Sequence, residues 1–287
     1  MKVSVITPSY NQGQFIERTL RSVCDQQSPG LVYEHVVFDG GSTDDTLEIL
    51  SHFDHDVRWV SESDRGQAHA VNKGICATDG DIIGWLNSDD VYYPGVLARV
   101  VDFFEEHPYV DAVYGMAEHI DVNDVAFEPY PTEPWDPARL MDTCYICQPA
   151  LFFRRRVVVA HGLLDESLQY CMDYEYWLRL ARDGARFAYL PEKLAGSRLY
   201  SQNKTMSNPV AVHKEINEML RRYGPVPDAW LFNYAYVVVR SKLDEQERPV
   251  RFAREVTLRS LLASLRWNGR ISHTLVRRLF PRLYKFS

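Results

Sequence analysis

A mostly parallel α/β sheet with helices on both faces is the fold class that this 287-residue sequence predicts. Three observations carry the prediction. Strand-like and helix-like segments alternate through the first 120 residues, the rhythm of βαβ units. Strand-like runs end in polar, turn-forming clusters, where a chain leaves a sheet. Hydrophobic residues make up 46% and charged residues 25%, a globular balance that excludes disordered and fibrous classes. At this length a chain can bury on the order of 75% of its unfolded surface, enough for a core without staples.

Taken in order, Val3–Ile6 is a β-rich run that stops at Thr7-Pro8, where proline cannot continue a ladder. Phe15, Ile16, Leu20 and Val23 recur at helical spacing. Tyr33–Phe38 is the second strand, ending at Asp39-Gly40-Gly41. Ser42, with Asp45 three residues on, reads as a helix start ahead of Leu47 and Leu50. Val57–Val60 is a third strand, Ala68–Cys76 a helix, and Asp81–Leu86 a fourth strand running into Asn87-Ser88-Asp89-Asp90. Pro94 opens a helix with Val96, Leu97, Val100, Val101 and Phe104 on one face. After Asp121 the rhythm changes. The proline-rich stretch Phe127–Pro137 reads as an excursion loop, followed by a strand at Ala150–Phe153, a short helix at Tyr174–Ala181 and a strand at Arg186–Leu190. Ile216, Met219, Leu220 and Tyr223 mark a further helix, and Leu258, Leu261, Leu262 and Leu265 form a stripe flanked by Arg251, Arg254, Arg259 and Arg266. The expected divisions are 1–121, 122–205 and a helical, basic extension over 206–287.

Lys+Arg 32 against Asp+Glu 39 gives a net −7, which argues against a dedicated nucleic-acid binder. The charge is uneven: residues 240–287 hold 12 Lys/Arg and four Asp/Glu, a net +8 that leaves −15 for residues 1–239. Five cysteines, an odd count without framework spacing, favour a reduced, intracellular chain. The lone Cys144–Cys147 pair has neither a second pair nor a histidine pattern to make a zinc site. No apolar run approaches the ~20 residues of a membrane span, so the expectation is a soluble chain, or one that lies on a membrane without crossing it.

Ligands of open parallel sheets bind beyond the carboxyl ends of the strands. Polar groups sit at those ends here: Thr7–Asn11, Asp39, Ser63–Gln67 and Asn87–Asp90. Strand-end loops are commonly polar, but four such ends on one rim point to a binding site. A nicotinamide or flavin enzyme is disfavoured because the first turn, TPSYNQGQ, lacks the G-x-G-x-x-G that admits a pyrophosphate. Asp89 and Asp90 suggest another means of neutralising phosphate, since vicinal carboxylates after a buried strand repel unless a cation relieves them, and hard oxygen ligands suit Mg²⁺ or Mn²⁺. A helix-capping acid pair before Pro94 is the plainer alternative.

VSVITPSYNQ, VVFDGGSTDDT, GQAHAVNKG and WLNSDDVYYPG follow one another in this chain, then CQPALFFRR, GLLDESL, MDYEYWLRLA and SRLYSQNKT. The ordered set, spanning roughly residues 1–205, resembles family 2 glycosyltransferases of the GT-A fold. That resemblance implies an inverting transferase using a nucleotide-diphosphate sugar and Mn²⁺ or Mg²⁺, with 1–121 as donor half and 122–205 as acceptor half. By the same resemblance Thr7, Pro8, Tyr10, Asp39, Asp64, Gln67, Asn87, Ser88 and Asp89 hold the donor nucleotide, Asp39 contacting the base, while Asp89 and Asp90 hold the metal. The D-x-D element begins here with Asn87 rather than Asp, so the charge of Asp90 gains weight. Asp173 falls on the position of the general base, with Met172 where the family usually has an acid; a less charged neighbourhood makes a carboxylate a better base. An N-cap role for Asp173 is the structural alternative. Gln148 and Glu175 are placed on the acceptor side, Glu175 as an orienting or acceptor group. Arg198 and Lys204 are placed to reach the diphosphate from a mobile loop, against the simpler reading of solvated loop cations. Tyr200 stands where related chains often carry a metal-binding His. Trp135 in the proline-rich loop offers a face for a sugar.

The implied acceptor is a glycan or lipid-linked glycan in envelope assembly, with the enzyme cytoplasmic or peripheral on the inner face of the membrane. Two rival functions stay open on residues alone: a nucleotidyltransferase on a similar sheet, and a non-catalytic sugar-nucleotide-binding module. Residues 251–287 carry nine Lys/Arg and one acid, Glu255, beside Trp267, Phe280, Tyr284 and Phe286. Such a segment suits an anionic membrane surface. It suits equally a helix pair packed on the acidic body, as a cap or as a homodimer contact.

Overall fold

The computed structural model describes residues 1–279; Phe280, Tyr284 and Phe286 lie outside the described residues. Two compact units are formed, one by 1–137 with 145–200 and the other by 138–144 with the described residues from 201 onward. The first is a nine-stranded sheet. Its strands are β1 (Lys2–Ser9), β2 (Val32–Asp39), β3 (Arg58–Ser61), β4 (Ile82–Trp85), β5 (Val91–Tyr92), β6 (Ala112–Ile120), β7 (Ala126–Pro129), β8 (Leu151–Arg154) and β9 (Phe187–Arg198). They lie in the order β3-β2-β1-β4-β8-β6-β9-β5, with β7 paired to β6. The block β3-β2-β1-β4 is parallel, β8 runs against both β4 and β6, and β9 is again parallel to β6. The expected mostly parallel α/β sheet is therefore observed.

Helices of this unit are α1 (Ile16–Cys24), α2 (Thr46–Ser51), α3 (Gln67–Cys76), α4 (Val96–Glu106), α6 (Arg155–His161) and α7 (Met172–Arg182), while α5 (Pro137–Asp142) belongs to the second unit from Ala138 onward. The apolar stripes predict the buried faces. Ile16 and Leu20 of α1 pack with Val37, Leu50 and Val57, and Val96, Leu97, Val100 and Phe104 of α4 pack with Val3, Val5 and Ile82. Full burial of each such side chain stabilises the fold by about 1.5–3 kcal/mol. Helix α3 sits so close to β1 that a Cβ at Gly74 would fall 2.3 Å from Ile6 Cγ2, so only glycine fits.

Several expectations are corrected. Ser42 does not start α2; the helix begins at Thr46, whose N–H bonds the Asp44 carboxylate, and Ser42 turns back to Asp39. Helix α7 starts at Met172, two residues before the expected Tyr174. Strand β6 has no counterpart in the sequence reading, and the proline-rich loop contributes β7 as its hairpin partner. Strand β9 runs on past Pro191 to Arg198, because its pairing with β6 jumps from Gly115↔Leu190 to Met116↔Lys193. That bulge leaves the proline, which has no N–H, outside the ladder.

The second unit is helical: α5 continues into it, followed by α8 (Lys204–Ser207), α9 (Pro209–Leu220), α10 (Asp228–Arg240), α11 (Pro249–Asn268) and α12 (His273–Leu279). Ala235 and Val239 of α10 pack with Phe252 and Val256 of α11, and Tyr234 meets Trp267 edge-on at 4.8 Å. Of the leucine stripe, Leu258, Leu262 and Leu265 are exposed. Among the described residues no helix is long and apolar enough to cross a membrane.

Candidate active site

The parallel register brings the first strand ends level, pairing Ser9 with Asp39 and Asp39 with Ser61. The loops beyond them converge. A Cβ at Gly40 would lie 3.0 Å from Asp64 Oδ2 and 3.3 Å from the Tyr10 ring, so the ends of β1, β2 and β3 meet around a glycine. Tyr10 is 60% exposed and forms one wall of this corner. The Asp39 carboxylate is buried beneath it, accepting hydrogen bonds from Gly41 N (3.0 Å), Ser42 N (2.8 Å), Ser61 Oγ (2.7 Å) and the Ser42 hydroxyl. Asp64 Oδ1 accepts from Gly66 N at 2.7 Å, which shapes the turn into α3. Thr7 and Pro8, expected at the rim, lie buried within β1, with the Thr7 hydroxyl 2.9 Å from His35 Nε2. In this structure the rim begins one turn later, at Tyr10.

At the end of β4, Asn87 is the centre of a closed network. Its Oδ1 accepts from Gln67 Nε2 (2.8 Å) and Trp85 Nε1 (2.9 Å), while its Nδ2 donates to Gln148 Oε1 (2.8 Å) and Asp90 Oδ2 (3.1 Å). All four hydrogen-bonding positions of the amide are used. Gln148, expected on the acceptor side, is buried in a single 3₁₀ turn and also donates to the Trp85 carbonyl. It therefore braces Asn87. This explains the departure from D-x-D: a carboxylate at 87 would face Asp90 with no proton to donate. Asn87→Asp is accordingly expected to destabilise the fold by about 2–4 kcal/mol in the presence of chelator. Urea denaturation reads this directly, and an unchanged midpoint would contradict the network.

Ser88 is buried. Asp89 and Asp90 are held differently from one another. Asp90 is almost fully buried, its Oδ1 accepting from Arg198 N at 2.8 Å and its carbonyl from Thr19 Oγ1 at 2.7 Å. Burial and the charge of Asp89 push its carboxyl up to about 8. Asp89 is also raised, by burial, and its Oδ2 accepts from the Tyr200 hydroxyl at 3.2 Å. Tyr200 packs on Phe15 with ring centres 4.8 Å apart and is pushed up to about 12, by burial first and the Asp89 charge next.

Arg198, expected to reach the diphosphate from a loop, closes β9 instead. It is fully buried, donating from Nε to the Asp89 carbonyl (2.7 Å) and from Nη1 to the Asp121 carbonyl, with Nη2 on the Asp124 carboxylate and the guanidinium over Phe15. A guanidinium committed to these groups shapes the acid pair from behind. Lys204 lies exposed at the start of α8, in the second unit.

On α7, Asp173 and Glu175 occupy the first turn, where acids suit the helix dipole. Asp173 is half-buried and is not the N-cap, which is Cys171. Glu175 is buried and paired with Arg179 at 3.1 Å, and Arg179 in turn bonds the carbonyls of His161 and Leu163. Glu175 thus orients the loop before the helix. Trp135, expected to face a sugar, lies flat on Phe187 with centroids 4.2 Å apart. Asn72 fixes the Leu164–Glu166 loop through both of its amide atoms.

No group of three or more His, Cys, Asp or Glu is placed to hold a metal ion among the described residues. Magnesium-type sites on phosphate substrates need only one or two protein carboxylates, the phosphates supplying other ligands. A buried, mutually repelling acid pair at a strand end fits that requirement.

An α/β sheet of this topology with its acids on the carboxyl rim has the GT-A glycosyltransferase fold. TarS of S. aureus, solved as residues 1–349 in complex with UDP-GlcNAc, superposes with a TM-score of 0.66 at 19% identity, covering 99% of this chain and 88% of that one. The chain belongs to glycosyl transferase family 2, whose sequence pattern matches residues 4–161. It is 28% identical over 230 residues to chondroitin synthase of Escherichia coli, covering 77% of this chain and 33% of that protein. Over 115 residues it is 38% identical to an uncharacterised glycosyltransferase of Mycobacterium tuberculosis, covering 39% and 44% of the two chains. The chain spans 38%, 33% and 65% of the lengths of three relatives it matches.

Proposed function

We propose that this protein transfers a sugar from a nucleotide-diphosphate sugar to a hydroxyl of a glycan or lipid-linked glycan, inverting the anomeric centre. The observation that carries this reading is the convergence of Tyr10, Gly40 and Asp64 beyond the ends of β1, β2 and β3, with the buried Asp89–Asp90 pair following β4, the strand parallel to β1 on its other side. Residues 1–121 form the donor half of the reading and 122–205 its acceptor half. Tyr10, Asp64 and the buried Asp39 frame the nucleoside. Asp89, aimed by Tyr200 and backed by Arg198 and Asp90, is the carboxylate that would hold Mn²⁺ or Mg²⁺. When bound, that cation neutralises charge on the departing diphosphate. Asp173 accepts the proton of the acceptor hydroxyl as its oxygen bonds the anomeric carbon and the bond to the diphosphate breaks. One displacement on the opposite face gives inversion.

The experiment is a thermal-shift and turnover screen of nucleotide sugars with Mn²⁺. Ligand binding to the native state raises stability by mass action. At least one donor is expected to raise the melting midpoint with Mn²⁺, to lose that effect in chelator or in Asp89→Ala, and to yield free nucleoside diphosphate. Release of pyrophosphate would instead identify a nucleotidyltransferase, and binding without turnover a binding module. Full turnover in chelator would overturn the metal assignment.

A further inference from the structure

Helix α11 is built the wrong way round for a helix whose apolar stripe serves only the protein core. Its buried face carries Phe252, Val256, Ser260, Ala263, Ser264 and Trp267, so two of six inward positions are serines, each hydroxyl donating to a carbonyl of the same unit. Its opposite face carries Leu258 and Leu262, 53% and 54% exposed, with Leu265 and Val250 also exposed. At 100° per residue Leu258, Leu262 and Leu265 fall within a narrow arc, and Arg251 and Arg254 fall in the same arc. Both arginines are exposed and make no ion pair among the described residues. Only one acid, Glu255, lies on the helix, 3.9 Å from Arg259.

We infer that this outward face of α11 docks on an anionic lipid surface, its leucines entering the headgroup boundary and Arg251 and Arg254 meeting lipid phosphates. A row of aliphatic side chains with arginines interleaved has the chemistry of a helix lying in the plane of a membrane. Charge decides between occupants. In a two-fold contact with a second copy the same patch meets itself, bringing arginines against arginines. An anionic bilayer attracts them, by roughly fivefold in binding for each arginine near the surface. The same field repels the net −15 of residues 1–239, so attachment through the basic extension is favoured over attachment through the body.

The test is co-sedimentation of the full chain with vesicles of neutral phosphatidylcholine, alone or with about 30% phosphatidylglycerol, the proportion setting the surface potential. Binding is expected to the anionic vesicles and not to the neutral ones, and to fall with added salt. Leu258→Gln/Leu262→Gln/Leu265→Gln is expected to weaken binding at least tenfold with the melting midpoint retained, since these side chains are exposed. Arg251→Gln/Arg254→Gln is expected to weaken it about tenfold or more, from two charges. Equal sedimentation of both variants and wild type would overturn the proposal, as would absence of binding to anionic vesicles at low salt. A dimer in light scattering that the leucine variant abolishes, with no vesicle binding, would assign the face to a second copy instead.

Discussion

Asp173→Asn is expected to lower turnover by roughly 10²–10⁴-fold, the usual worth of general-base catalysis, with donor affinity nearly unchanged. The substitution keeps size and shape and removes only the proton acceptor. Asp173 is half-buried in the first turn of α7, beside Met172, so losing its charge forfeits a helix-dipole contribution of about 0.3–1 kcal/mol and little packing. Glu175 is held by Arg179, and Asp165 accepts from the N–H and hydroxyl of Ser167 in a turn. Asp165→Asn should therefore affect stability more than turnover per folded molecule. Steady-state kinetics at saturating donor and Mn²⁺, with melting midpoints for each variant, separate the two effects. Near-wild-type turnover in Asp173→Asn would move the base to one of the other acids.

Arg198→Met is expected to destabilise the first unit by about 3–5 kcal/mol, the range found when one partner of a buried charge cluster is removed. Methionine keeps the stem and the contact with Phe15 but donates nothing. The Asp89 carbonyl then loses its donor, the Asp121 carbonyl keeps only the Asp124 N–H, and Asp124 loses its cation. Asp124 is partly exposed, so the larger share of the cost falls on the Asp89 carbonyl and on the loosened Asp89–Asp90 turn. Donor binding should weaken along with stability, unlike in Asp173→Asn. Urea denaturation checks the first statement and donor titration the second; a loss below about 1 kcal/mol would mean that Arg198 is not the brace described.

The sequence by itself determined the α/β class, the four parallel strands that open the chain and the buried faces of α1 and α4. These follow from periodicity, which needs only local information: Val3–Ile6 or Val96–Phe104 states its own environment. It also placed the chemistry on the strand ends after β1, β2, β3 and β4, because topology alone brings parallel strand ends to one edge. Strand β6 and the run of β9 beyond Pro191 were decided by tertiary pairing, since the bulge at Met116 is a property of two strands together. The meaning of Asn87, Gln148 and Arg198 was likewise set by the fold. Each bonds a residue more than 60 positions away (Asn87 to Gln148, Gln148 to Trp85, Arg198 to Asp89), and hydrogen-bond satisfaction in a buried site depends on which groups arrive there, not on spacing along the chain. The outward leucines of α11 show the converse: periodicity found the stripe, but only packing against α10 decided which face of the helix meets the core.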